Sequence, residues 1–135
     1  MDCGTLITAD DLYAFNPNFA LSSSDGSDVG RFGADVLSNK GITCTYTNLS
    51  GGGKIFLTAT KFDSASRSQV ISELEKSSQE VDEGTGGANV TFFKTESGTG
   101  VAQVVHGDFL ITAESQFFGS YLDAGDFLNI ALAKL

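Results

Sequence analysis

The chain is poor in the residues that most chemistry needs: 135 residues hold one histidine, two cysteines and eight basic side chains, and no long apolar run. No stretch approaches the roughly 18 to 20 consecutive apolar residues of a bilayer-spanning helix. A lone histidine and the lack of Cys-x-x-Cys spacing suit neither a zinc site nor a dithiol redox motif. There is no Gly-x-Ser-x-Gly elbow to expose a serine nucleophile. Eight basic against seventeen acidic residues leave a net charge of −9, a field that repels the phosphates of nucleic acid and anionic membrane surfaces. The same charge suits a basic partner or cations, or simply keeps the chain in solution.

What is present describes a globular domain. Hydrophobic residues make up 41% and include eleven phenylalanines, outside the compositions that remain disordered. One domain spanning residues 1–135 is expected, long enough to bury roughly 70% of the surface its unfolded chain exposes. Cys3 and Cys44 read most simply as a disulfide, which places the chain outside the cytoplasm; the alternative is two buried free thiols acting as small hydrophobes. Met1-Asp2 opens directly onto Cys3, as an initiator methionine set on a trimmed chain would.

The local signals predict an α+β fold: a twisted antiparallel sheet of about five strands with helices packed on it, in the order α-β-β-α-β-β-β-α. Thr8 caps a helix over 9–15, with Asp11 three residues on and Ile7 and Leu12 as a hydrophobic staple. Asn16 precedes Pro17 and so ends it. Residues 18–41, rich in Ser, Asp and Gly, read as one long surface excursion. Strands over 42–48 and 54–62 flank Gly51-Gly52-Gly53. A helix capped at Asp63 or Ser64 runs to about Ser78, and a loop follows over 81–87. Strands over 88–94, 101–106 and 109–115 form a meander, and Asp123 caps a last helix rich in Phe, Leu and Ile. No internal repeat is visible.

Cys3-Gly4-Thr5-Leu6-Ile7-Thr8-Ala9-Asp10-Asp11-Leu12 resembles the opening of small actinobacterial lipoproteins. Cys44-Thr45-Tyr46 ahead of Gly51-Gly52-Gly53 is similar to their second-cysteine strand and Gly-rich hairpin. The resemblance implies a PsbP-like antiparallel sheet flanked by helices, on a protein lipid-anchored outside the membrane. No lipobox survives here, so a membrane enters only through an anchor absent from this sequence.

Four features invite a chemical reading, each with a plainer one beside it. His106 near Asp108 has the residue types of an oriented general base, though turn polarity accounts for both. Asp25 and Asp28 offer oxygens to Ca²⁺ but lack the alternating acidic pattern of a calcium loop. The glycines of 51–53 and 84–87 supply amides without the lysine of a phosphate loop. Phe92, Phe93, Phe109, Phe117, Phe118 and Tyr121 crowd the C-terminal half as a candidate apolar ligand cavity, or as ordinary core. No catalytic residue, metal or cofactor is called for. The expected role is a non-enzymatic extracytoplasmic binding or sensor domain contacting a protein or envelope component. A carrier of a small apolar or lipid-like ligand is the alternative, and a hydrolase using His106 a more distant one.

Overall fold

The computed structural model describes residues 2–25, 30, 41–81 and 89–135. Among the described residues the fold is α+β, but with seven strands rather than five. The elements are α1 (Cys3–Leu6), α2 (Ala9–Phe15), β1 (Phe19–Ser23), β2 (Ile42–Asn48), β3 (Lys54–Lys61), a 3₁₀ turn (Ser64–Ser66), α3 (Arg67–Ser77), β4 (Gln79–Val81), β5 (Val90–Glu96), β6 (Thr99–His106), β7 (Phe109–Ser115) and α4 (Tyr121–Leu132). All pairings are antiparallel, in the spatial order β1-β2-β3-β7-β6-β5-β4.

The elements missing from the five-strand expectation are those whose side chains carry the weakest signal. β1 ends in serines and sits at one edge, where one neighbour suffices. The Ser22 hydroxyl donates to the Thr45 carbonyl at 3.1 Å and lies 2.7 Å from Thr47 Oγ1. β4, at the other edge, is only Gln-Glu-Val and pairs Val81 with Thr91, so part of the loop expected over 81–87 is strand. The rest of that loop, like residues 26–29 and 31–40 of the long excursion, lies outside the described residues. α1 is a single turn closed by a capping box, in which Asp2 Oδ1 accepts from the Thr5 amide at 2.9 Å.

The cap expected at Thr8 is present, whereas the one expected at Asp123 is displaced to Ser120. α2 begins after Thr8, whose hydroxyl accepts from the Asp11 amide at 3.0 Å, and stops before Asn16-Pro17. The last helix starts two residues earlier than Asp123: Ser120 is the cap, and Asp123 closes the box as its third residue.

A topological repeat hides in this order. Among the described residues, helix–strand–strand–strand occurs twice, as α2-β1-β2-β3 and α3-β4-β5-β6, on either side of β7. Corresponding strands run in the same direction, and the two helices lie on opposite faces: Leu12 of α2 packs with Cys44, Leu57 and Ile111, whereas Leu74 of α3 packs with Phe92 and Val105. Half a turn about β7 relates the halves. Their side chains differ too much for a sequence to show it.

The main core lies on the α2 face, filled by Tyr46, Leu57, Ile111, Phe127 and Leu128, all at most 1% exposed. α4 lies across β6 and β7 on this side. Gly100 lets the chain close here, since a Cβ on it would collide with the Phe118 carbonyl. The other face of β2, β3 and β7 carries a set of polar yet buried side chains. One row runs Thr43, Thr58, Thr112, Gln103, with Gln103 Nε2 donating to Thr112 Oγ1 at 3.3 Å. The hydroxyls of Thr43 and Thr58 have no hydrogen-bond partner among the described residues, a desolvation cost of about 1–3 kcal/mol each.

Cys3 and Cys44 are joined in a disulfide that fastens α1 to β2 across 41 residues. Its loop-closure entropy corresponds to about 4 kcal/mol. The Cys3→Ser/Cys44→Ser double variant is therefore expected to unfold at a markedly lower urea midpoint than the oxidised protein, with far-ultraviolet dichroism conserved at zero denaturant. Thr58→Val keeps shape and β-branching while removing a buried hydroxyl that has no partner among the described residues. It is expected to be neutral or to stabilise by about 1 kcal/mol, read from the same urea midpoint; a loss above that size would mean that the hydroxyl is bonded.

Candidate functional site

The six aromatic residues expected to enclose a cavity are dispersed. Phe92 and Phe93 are consecutive in β5 and so point to opposite faces: Phe92 is buried under α3, while Phe93 packs half-buried against the main core. Phe118 and Tyr121 are buried in that core and Phe109 lies at its margin, with Lys61 Nζ 5.9 Å from its ring centre. Phe117 is 43% exposed, its ring edge-on to Phe19 at 5.5 Å. The sheet itself separates Phe92 from Phe118 and Tyr121, so the six line no common space.

The other sequence candidates are similarly accounted for. His106 Nδ1 lies 2.9 Å from Asn89 Oδ1, an amide rather than a carboxylate partner, and the Asp108 carbonyl accepts from the Phe62 amide at 2.8 Å. In the Gly51–Gly53 turn, the Asn48 side chain accepts from the amides of Ser50 and Gly51, at 2.9 and 3.0 Å. Those amides are already used. Asp28 and the glycines of 84–87 lie outside the described residues.

A largely apolar concavity lies elsewhere among the described residues. α2 lies beside the edge strand β1, and between them runs a groove of about 330 Å³. Ala9, Leu12 and Tyr13 of α2 form one wall and Phe19, Ala20 and Leu21 of β1 the other. Gly4 and Ile7 close one end, and Tyr46 of β2 also lines the groove. The spacing i, i+3, i+4 of Ala9, Leu12 and Tyr13 puts them on one stripe of the helix, the signal by which this wall could have been found. Leu12 is buried, whereas Tyr13 and Leu21 are 70% and 43% exposed.

Two constraints hold the α2 wall in place. At the start of the helix, Ile7 and Leu12 are both buried as a staple across the Thr8 cap. At its side, Asp11 Oδ2 accepts from Lys134 Nζ at 2.7 Å, tying α2 to the chain end beyond α4. That lysine, then the hydroxyl and amide of Thr8, hold the Asp11 carboxyl below its ordinary value. Tyr46 is fully buried, its ring edge-on to Phe127 at 5.3 Å, and its hydroxyl has no partner among the described residues. Burial pushes the Tyr46 phenol well above its ordinary value, so it stays neutral.

A second concavity, of about 350 Å³, opens at the end of the sheet between the β2–β3 turn and the end of β7. It is of mixed character, lined by Lys54, Thr99, Glu114, Ser115 and Gln116, with Gly30 and Phe56 beside them. Gly30 is pressed against Glu114 and Phe56 so closely that any side chain there would collide with both. Glu114 is buried.

No family model, curated protein or solved structure matches this chain. Among the described residues no helix is long and apolar enough to cross a membrane.

The Asp11–Lys134 pair makes a pH signature. Because the folded-state value of Asp11 is depressed, its stabilisation is complete above the ordinary value of 3.8. It is lost as pH falls through the lower folded-state value. Lys134→Met should therefore melt below wild type at pH 7, with the difference closing in melts recorded under pH 3.8.

Proposed function

We propose that this chain is an extracytoplasmic binding domain of the cell envelope whose α2–β1 groove receives a small apolar group. The groove carries the reading: it is concave, lined mainly by carbon, and its volume lies at the lower end of small-ligand sites. The disulfide supports an oxidising compartment. The N-terminal resemblance to lipoproteins supports tethering at the envelope; since the Cys3 sulfur is committed to Cys44, an anchor in this reading precedes Cys3.

Binding, rather than group transfer, is what such a lining offers. The groove's hydroxyl-bearing residues are Thr8, occupied in capping, and the two tyrosines. None is paired with a base in the manner that activates a nucleophile. Burial of the ligand's apolar surface would supply the affinity, at about 25 cal/mol per Å².

Titration of the ¹⁵N-labelled protein with 1-octanol tests this. Saturable amide shifts are expected at Gly4, Ala9, Tyr13, Ala20 and Leu21. Ala9 is solvent-exposed on α2, so Ala9→Trp lays an indole across the groove without touching the core, and it should weaken octanol binding about tenfold or more. Shifts confined to the C-terminal aromatics, or undiminished binding by the Ala9→Trp protein, would overturn the assignment.

A further inference from the structure

We propose that the occupant of this groove is a neutral apolar molecule carrying one carbonyl oxygen, which accepts a hydrogen bond from the phenol of Tyr46 while the carbon body lies between α2 and β1. The proposal rests on the binding reading above and adds the one polar contact that orients the ligand.

Tyr46 stands apart from the rest of the lining. It is a large side chain with no exposed surface, and its hydroxyl has no hydrogen-bond partner among the described residues. A buried hydroxyl left unpaired is a standing cost to the fold, and one that borders a binding groove is relieved by a ligand that pairs with it. Side chains of a strand stand roughly perpendicular to the sheet. The Tyr46 ring therefore rises from β2 into the layer occupied by α2, where it meets Phe127 edge-on at 5.3 Å and borders the groove together with Ile7 and Leu12. Its neighbour on the edge strand is Leu21, the cross-strand partner whose side chain shares this face. Leu21 is 43% exposed, so it can turn outward and uncover the phenol without vacating a core position.

The chemistry of the ligand's polar atom follows from counting hydrogens. Burial raises the Tyr46 phenol well above its ordinary value, so its proton stays in place to be donated. A carbonyl oxygen accepts that hydrogen and brings none of its own, so one bond satisfies both groups. A ligand hydroxyl brings a second hydrogen that needs an acceptor of its own. The lining side chains hold only two other hydroxyls among the described residues: that of Thr8, which accepts from the Asp11 amide at 3.0 Å, and that of Tyr13, on a residue 70% exposed. A charged head of either sign would be stripped of water against carbon, and no charged side chain lines the groove among the described residues to offset that cost.

Two probes of matched shape read the contact: 2-heptanone, and 2-methyl-1-heptene, in which a methylene group takes the place of the carbonyl oxygen. Each is titrated by amide shifts against the oxidised full chain, as wild type and as Tyr46→Phe, a change that removes the hydroxyl and keeps the ring. The variant should bind the ketone about fivefold more weakly than wild type does, and the alkene equally well. In the infrared, the carbonyl stretch of bound 2-heptanone should lie lower in the wild-type complex than in that of the variant. Without ligand, the urea midpoint of the variant should match or exceed that of wild type, since the hydroxyl removed has no partner among the described residues. Ketone affinity and carbonyl frequency unchanged by the substitution overturn the Tyr46 contact while leaving the groove standing. A lower urea midpoint overturns it too, because the phenol would then be bonded before any ligand arrives. Equal losses for ketone and alkene assign the effect to packing and overturn it as well, and failure of both probes to bind wild type overturns the groove together with its ligand.

Discussion

A four-residue helix does not hold itself together in water, since nucleating a turn costs more than its few hydrogen bonds return. α1 exists because Cys3 is bonded to Cys44 in the middle of β2, with both sulfurs inside the main core. Everything on that side of the molecule follows from this clasp. It brings Gly4 and Ile7 to the edge of the sheet, sets the entry of α2 over β1, and so leaves the strip between helix and edge strand as a groove rather than a filled seam. Loop-closure entropy accounts for the clasp's stability, while its position accounts for the groove.

The two faces of the sheet solve the burial problem differently. The α2 face is sealed by aliphatic and aromatic packing against α1, α2 and α4. On the opposite face, α3 supplies apolar cover only over the β4–β5–β6 side, where Leu74 meets Phe92 and Val105. Over β2, β3, β7 and β6 that face carries Thr43, Thr45, Thr58, Thr112, Gln103 and Glu114, buried all the same, beside the partly buried Phe56 and Leu110. The half-turn symmetry about β7 explains the alternation, because each helix–strand–strand–strand unit covers its own outer face. The polar quarter is partly satisfied by side-chain hydrogen bonds, as Gln103 and Thr112 show, while the hydroxyls of Thr43 and Thr58 have no partner among the described residues.

Much of this was legible in the sequence where local chemistry is unambiguous. Thr8 with Asp11, Asn16 before Pro17, and the β-branched runs around Gly51–Gly53 each specify one backbone solution, and the chain adopts it. The edge strands were not legible. β1 lacks sustained alternation and β4 is three residues long, so both are held by backbone pairing with a neighbour no local pattern announces. The aromatic cavity failed for a reason the sequence did contain: adjacent residues of a strand face opposite ways, so Phe92 and Phe93 cannot line one space. The groove was half legible, in the stripe of Ala9, Leu12 and Tyr13. Its other wall, β1, carries no strand pattern of its own.

The dependence of the groove on the clasp is open to one direct measurement, the binding of 1-octanol before and after reduction of the Cys3–Cys44 bond, followed by amide shifts in the same sample. The account predicts that reduction abolishes the octanol-induced shifts at Gly4, Ala9 and Leu21 while the amides of β5, β6 and β7 keep their dispersion. Unchanged octanol affinity in the reduced, folded protein would contradict it, because α1 and α2 would then hold the groove open without the bond to β2.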